Sequence, residues 1–535
     1  MGQLVLGSIG SAVGQGLLPS GLSAFGLHLS GQAIGGFIGA QLGGYIDRAL
    51  FGNDQISGPQ LDALPVQSST EGAPIPLVFG RSRIAGQIIW ASRYSEHRNS
   101  EGGGKGGPRV TRFSYSVSFA VGLCEGEIAG IGNIWANGEL LNQNDIAFRV
   151  YKGSEDQRPD PLIQTIEETA NAPGWRGLAY VVFEDLPLEN FGNRIPNLSF
   201  EVFRAPQSGG AKVPLENKIK GVDLIPASGE FAYSTSAILR DDGPGRQSWL
   251  NINNSRGKPD FLAAIDDLEA QLPNCKSVLI VSAWFGSDLR CGVCEVRPGV
   301  ETREKITRPY SWQVAGEDRS TAYLITQADS SPVYGGTPAD PSLIEAISEL
   351  KSRGFSVSLY PFILMDIPSG NGLADPYGGA EQAAFPWRGR ITCHPASGVV
   401  GSVDGSATAT GQVDAFFGTA DANDFSINNQ TITYSGADEW GFRRFILHHA
   451  ALAVAAGGVD GFLIGSEMRG LTTIRGEADS FPAVAQLAML ASEARALLGA
   501  GSRLSYAADW TEYFGFHPQD GSDDVFFHLD SLWSH

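Results

Sequence analysis

Cysteine is scarce. Five cysteines in 535 residues cannot staple a chain of this size, so its folding rests on hydrophobic cores rather than a disulfide framework. Positive charge is also in short supply. Thirty-eight Lys and Arg against 58 Asp and Glu leave a net charge of −20, which argues against a nucleic-acid binder, because that affinity comes from cations on phosphate. An acidic lining still suits a channel through which DNA slides without sticking. Residues 1–46 contain no Asp, Glu, Lys or Arg, and Asp47 is the first charge. Without a basic n-region this is no standard signal peptide. Pro19 and the polar Gln15, His28, Gln32 and Gln41 weigh against an unbroken membrane span.

What is present describes a globular chain of several parts. Hydrophobic residues make up 42% and aromatics 10%, enough to fill more than one core, and the length predicts roughly three to four domains. Charged residues are only 18%, and 68 glycines with 29 prolines predict many turns. In residues 32–46, Gly35, Gly39 and Gly43 fall every fourth position, on one face of a helix, where two helices approach closely. A packing helix in an assembly is the first reading; self-association or insertion into a membrane remains open. This gives a Gly/Ala-rich helical segment over 1–50 and a polar linker over 51–69.

Residues 70–205 read as mostly β. Strands are expected at 75–80 (IPLVFG), 86–90 (GQIIW) and 113–121, where Phe, Tyr, Val, Phe and Val alternate on one face. Two short strands flank an Asn137-Gly138 turn, and further strands are expected at 180–183 and 198–203. The stretch SEGGGKGGP at 100–108 fails as a phosphate loop, because Gly106 rather than Ser or Thr follows Lys105 and a strand comes next. It reads as a flexible hairpin tip. Three segments then carry a resemblance: STEGAPIPLVFGRSRIAGQIIW, FAVGLCEGEIAGIGNIWANGELL and LAYVVFEDLPLENFGNRIPNLSFEV. Together they resemble the hub region of the large host-specificity tail-tip proteins of long-tailed phages and gene transfer agents. The resemblance implies a β-rich hub, trimeric, beneath a tail tube.

After a connector at 206–272, ending in a helix from about 260 to 272, the rhythm changes. Apolar strands at 277–285 (SVLIVSAWF), 356–364 (SVSLYPFIL), 461–465 and 503–508 alternate with helices at 341–353, 438–456 and 481–498. Such alternation predicts a parallel α/β domain, most simply a barrel, over 273–535. Only about four clear strands precede His535 whereas a closed barrel needs eight, so the barrel is expected to be incomplete at its C-terminal end.

Active sites of such folds sit at the carboxyl ends of the strands. Those ends carry Trp284, Asp366, Glu467, and Asp509 with Trp510 and Glu512. Glycoside hydrolysis needs one carboxylic acid and a second carboxylate. Glu467, two residues beyond the strand end in DGFLIGSEMRGL, is the candidate acid, with Arg469 close enough to influence it. Glu512, Asp366 and Asp509 are candidate second carboxylates. Trp284, Trp387, Trp510 and Arg469 are candidate sugar contacts, and Tyr360 also suits ring stacking. A glutamate at such a mouth can equally bind a sugar, or pair with an arginine, without catalysis.

Other constellations carry less. Cys291 and Cys294 have metal or redox spacing, but Cys275 and the Cys393-His394 pair are remote in sequence, so neither a metal nor a cofactor is expected. His448 and His449 are adjacent on a helix and point apart. FPWRGR at 385–390 could set Arg388 and Arg390 over an anionic ligand, although loop packing explains it as well.

RPYSWQVAG, YGGTPADPSLIEAISELKSRGFSVSLYPFILMDIPSGN, AFPWRGRITCHP and FLIGSEMRGLT resemble the glycoside-hydrolase-like TIM-barrel domain of the large, "megatron"-like baseplate hub protein of alphaproteobacterial gene transfer agents. In the large retaining glycosidase clan with this fold the acid usually follows Asn; here Ser466 precedes Glu467. The two resemblances imply a multidomain virion protein at a particle's tail tip, assembled in the bacterial cytoplasm and acting on the recipient envelope. Its implied partners are tail-tube and distal tail or hub proteins, its own copies in a homotrimer, and a cell-envelope glycan, with DNA passing through unread. The alternative is a free glycoside hydrolase for an envelope polysaccharide with an accessory β domain.

Overall fold

The computed structural model describes residues 22–24, 27–29, 72–101, 110–168, 171–204, 214–225, 228–518 and 520–535. In the N-terminal unit, Leu22–Ala24 and Leu27–Leu29 pair antiparallel. Strand rather than the expected helix forms here because LSAFGLHL repeats its apolar residues at every second position on each side of Phe25-Gly26. The glycine-striped helix expected at 32–46 lies outside the described residues, as do residues 102–109 of the expected hairpin tip.

Nine strands build the β-rich part: β1 (Gly80–Ala85), β2 (Gln87–Ala91), β3 (Ser95–Glu101), β4 (Val110–Glu125), β5 (Gly130–Ala136), β6 (Glu139–Leu140), β7 (Ala147–Tyr151), β8 (Leu178–Pro187) and β9 (Leu198–Arg204). One sheet runs β2-β4-β8-β7, with β3 also on β4; the other runs β1-β9-β5-β6. Val117, Phe119, Val121 and Leu123 alternate along β4 and meet Val181 and Phe183 of β8 and Phe200 and Val202 of β9 in one core. The opposite face of the first sheet buries Ala120, Tyr180 and Val182 under Ile163 of α1 (Pro161–Glu167). Asp160 caps that helix and takes bonds from Arg149 and Tyr151. The turn residues Asn137 and Gly138 have φ of 51° and 89°, as a tight hairpin requires. The strand expected at 75–80 is corrected: regular pairing begins only at Gly80, and Ile75, Leu77 and Phe79 are exposed.

From residue 221 strands and helices alternate. They are β10 (Gly221–Leu224), α2 (Asp260–Gln271), β11 (Ser277–Gly286), α3 (Asp340–Ser352), β12 (Ser356–Met365), α4 (Ala407–Phe417), α5 (Phe442–Ala455), β13 (Gly461–Ser466), α6 (Pro482–Leu498) and β14 (Arg503–Ala507). These five strands lie in sequence order, each parallel to the next, and the two-residue strand Val296–Arg297 adds antiparallel at the end of β11. Among the described residues the sheet is open and no barrel closes. The connector expected at 206–272 is corrected, because β10 pairs with β11 over four residues and α2 follows it as the first βα unit. GVDL is too short and too polar for its hydrophobicity to announce a strand.

The two faces of the sheet differ. Val278, Ile280, Val357, Leu359 and Ile363 join Leu343, Ile347, Phe445 and Leu447 in the large core beneath the helices. On the other face Val281 and Ala283 form a separate apolar cluster with Leu279, Tyr360, Phe362 and Leu364. The 76 residues between Met365 and Phe442, which hold α4 and FPWRGR, return over the carboxyl ends of the strands and supply one side of the site.

Candidate functional site

Glu467 leaves β13 at an irregular point. The register between β13 and β14 shifts between Leu463 and Ser466, and Glu467 has φ of 50°, a left-handed conformation that a non-glycine residue adopts at a cost of about 1 kcal/mol. Its amide donates to the Ala507 carbonyl at 2.8 Å, so the turn is held by β14. The carboxylate meets FPWRGR. Its Oε2 accepts from Arg388 Nη2 at 2.6 Å and from Trp387 Nε1 at 3.2 Å. Arg388, not Arg469, is therefore its ion-pair partner. The Arg388 side chain is 6% exposed and that of Glu467 39%.

Arg388 is the centre of this arrangement. Its guanidinium stacks on Phe362 at 3.9 Å from the ring centroid and donates to Tyr360 Oη, to Ser466 Oγ and to the Ser466 carbonyl. An arginine can satisfy so many acceptors because its donors are fixed in one plane. Loop and strand close on each other through glycine: a Cβ at Gly470 would stand 2.7 Å from the Ile391 carbonyl oxygen and 2.8 Å from that of Gly389. Gly470→Ala is expected to push the Trp387–Arg388 loop off Glu467 and lower stability by about 1–3 kcal/mol, read as a lower midpoint in urea unfolding.

The other carboxylates are occupied differently. Glu512, 3% exposed, accepts from Thr472 Oγ1 at 2.6 Å, from the Asp509 amide at 2.7 Å and from Tyr506 Oη at 3.0 Å. Burial pushes its carboxyl above the ordinary range, against the bonds from Thr472, Asp509 and Tyr506. Tyr506 Oη also accepts from the Met468 amide, so Glu512 braces the turn that carries Glu467. Asp509 caps the short helix Trp510–Tyr513, accepting from Thr511. Burial works to raise its carboxyl, but the Thr511 bonds and the charge of Arg469 hold it below the usual range. Asp366, 4% exposed, accepts from Tyr323 Oη and the Thr326 amide, both at 2.8 Å, and its Oδ1 has no partner. No hydrogen bond joins any two of these four carboxylates among the described residues. In this arrangement Glu512 braces the turn that carries Glu467, and Asp509 caps the helix that follows β14.

The tryptophans also separate. Trp284 has no exposed surface and packs against Trp440, Phe445, His448 and His449 beneath the helices, so its candidacy as a sugar contact is corrected. The even spacing of β11 turns it away from the strand ends. Trp387 is 41% exposed with its indole fixed by Glu467. It lines a cleft of about 680 Å³ with Tyr377, Arg390, Arg469, Thr511 and His528. Trp510 is exposed but lies outside that cleft, edge-on to Phe514.

Residues 440–535 match the GTA TIM-barrel-like domain family model. That segment holds α5 to β14 and with them Glu467, Arg469, Asp509 and Glu512, while Trp387 and Arg388 precede it. A solved chain from the "Virion of native gene transfer agent (GTA) particle" is 38% identical over 34% of this chain and 40% of that one, with a TM-score of 0.23. The present chain thus spans less than half of that chain's length. No curated protein matches.

Tyr377 and His528 in the cleft, and Arg388 and Tyr506 around Glu467, are not sequence expectations, apart from the open anion reading of FPWRGR. Seventy-nine residues separate Arg388 from Glu467, and no local pattern reveals that pairing. Cys291 does approach Cys393, since its amide donates to the Thr392 carbonyl, but all five cysteines are free and buried. Burial raises the Cys294 thiol to about 12 and that of Cys393 to about 11, which keeps them inert as thiols. His448 bonds Asp340 and His449 bonds Ser282, with their rings at 87°.

Proposed function

We propose that this chain is a structural protein of a gene-transfer-agent-like virion, set at its tail tip. Its β sandwich joins tail-tube and distal hub proteins, and its α/β domain binds an envelope glycan during DNA delivery. The match of residues 440–535 to a GTA TIM-barrel-like domain carries the reading. Binding rather than cleavage is favoured because glycoside hydrolysis needs two carboxylates free to act across a sugar. Glu512 and Asp509 take internal hydrogen bonds, Glu467 holds Trp387 and Arg388, and Asp366 is buried on bonds from Tyr323 and Thr326 and does not line the Trp387 cleft. A half-exposed indole clamped by a carboxylate is a ready surface for a sugar ring.

Two measurements test this. In density gradients of particles from a producing cell the chain is expected to sediment with virions, and labelled antibody to decorate one end of the tail; recovery solely as a free monomer sinks the virion role. Purified full-length chain is expected to bind soluble peptidoglycan or envelope-polysaccharide fragments without releasing reducing ends. Trp387→Ala should weaken that binding about tenfold or more, on the scale of a lost ring stack of about 1.4 kcal/mol. Release of reducing ends by wild type, abolished by a folded Glu467→Gln, would instead establish a hydrolase, free or virion-borne as the gradient shows.

A further inference from the structure

The chain has 58 acidic residues, and most of its described arginines near the site are spoken for. Arg388 is buried against Glu467, and Arg475 is paired with Asp404 and Asp520. Arg390 and Arg469 are different. Both are exposed and both line the Trp387 cleft; among the described residues neither forms a close ion pair, although the charge of Arg469 reaches Asp509. Arg390 is kept in place by stacking over Tyr377, 4.5 Å from the ring centroid, while Tyr377 Oη donates to the Arg390 carbonyl. Arg469 opens the short helix Arg469–Thr472, whose position is fixed by the close approach of Gly470 to the loop. Two guanidiniums lining one cleft of a strongly acidic protein, that of Arg390 held by its stack on Tyr377, invite an anion.

A second observation points to a ligand. His528 lines the same cleft, is only 5% exposed, and among the described residues neither ring nitrogen has a well-formed hydrogen-bond partner, the Phe526 backbone being the one polar group close to it. Its ring rests against Phe481 and Phe516, which offer it nothing polar. Buried polar atoms are normally paired, so an imidazole at the wall of a cleft with at least one ring nitrogen unanswered is open to a group that enters. The carboxylates nearby do not fill this role: Glu512 is fully bonded from within, and Asp509 is turned to Thr511.

From this we infer that the cleft binds an acidic saccharide, a sugar bearing a carboxylate, with its ring on Trp387 and its carboxylate between Arg390 and Arg469. The inference rests on the glycan-binding reading and narrows it. Trp387 supplies the apolar face, the two arginines supply charge-assisted bonds, and His528 supplies a hydrogen bond to a hydroxyl or to the carboxylate. A neutral glycan would gain the stack and leave both arginines unanswered.

The test uses the full chain, with trigalacturonate and its methyl ester as probes in titration calorimetry. The acid form is expected to bind at least tenfold more tightly than the ester, and its affinity to fall as NaCl rises from 50 to 500 mM. Arg390→Ala and Arg469→Ala should each weaken the acid about tenfold and leave the ester unchanged; His528→Phe should weaken both forms while the thermal midpoint is kept. Equal affinity for acid and ester, lost together in Trp387→Ala, overturns the acidic-sugar inference and leaves the glycan-binding reading standing. No binding of either probe, with envelope fragments still bound, overturns the inference alone. No binding of probes or fragments, by a chain with an intact melting transition, overturns both.

Discussion

Arg388→Met is expected to lower the unfolding free energy of the α/β part by about 2–4 kcal/mol and to abolish glycan binding at temperatures where the chain is still folded. Methionine keeps the length and much of the apolar contact with Phe362, so the loss isolates the polar half of the residue. The Ser466 carbonyl and hydroxyl would lose their donors in a buried place. The Glu467 carboxylate would lose its cation but recover part of the loss from water, being 39% exposed, which holds the estimate below that of a fully buried pair. Trp387 would remain tied to a carboxylate whose one ion-pair partner is gone. Arg388→Lys restores the charge without the planar fork and should recover less than half of the stability. Urea midpoints give the first number and calorimetric titration with envelope fragments the second. An unchanged midpoint in both variants would show that Arg388 holds nothing together.

The dependence on Arg388 also marks where sequence reading stops. The strand expected at 277–285 is Ser277–Gly286 and that at 356–364 is Ser356–Met365, because long apolar runs state a buried parallel strand directly. The helix expected at 481–498 is Pro482–Leu498, its ends fixed by Pro482 and Gly499. The helix expected from 438 begins only at Phe442, since Trp440 and Gly441 precede the first helical turn. The helix Ala407–Phe417 was not expected at all: ATATGQVDAFF has a glycine and two threonines in place of strong helix formers, and its position is secured by burying Val413, Phe416 and Phe417. Glu467 could be marked from its place after a strand. Its partners could not, because the contacts that decide its role come from a loop about 80 residues away and from Tyr506 on the next strand. Trp284 shows the converse, for a residue at a strand end can face the helices as readily as the mouth.

Acidification is expected to destabilise the α/β part well above the pH at which its carboxylates titrate. His449 is wholly buried between α5 and β11. Its Nδ1 lies 2.9 Å from the Phe445 carbonyl oxygen, which can only accept, so the proton sits there and Nε2 accepts from Ser282 Oγ at 3.1 Å. The neutral ring is fully hydrogen-bonded, and a second proton would put an uncompensated charge in a buried place. Burial first, then the neighbouring His448, lowers it to about 3, with the Phe445 bond opposing; burial lowers His528 to about 4, against Phe526 and Asp530. Both bases are easier to protonate once unfolded, so between pH 6.5 and these values the unfolded chain binds more protons and stability falls as pH falls. By pH 5 the two together should remove about 4 kcal/mol relative to pH 7.5, at about 1.4 kcal/mol per unit of depression crossed. Glu230 and Asp288 have carboxyls held low by Arg319 and Lys305 and by Arg290, despite burial, and lose their contribution only at lower pH. Glu512, pushed up by burial, opposes the trend within the carboxylate range. Urea midpoints at pH 7.5 and 5.0 read the effect. His528→Phe, whose ring fills the same aromatic pocket, should hold the midpoint at pH 7.5 and recover about half of the loss at pH 5.0, leaving His449 to account for the rest. A midpoint that does not move between the two pH values would mean that neither imidazole is kept neutral by the fold.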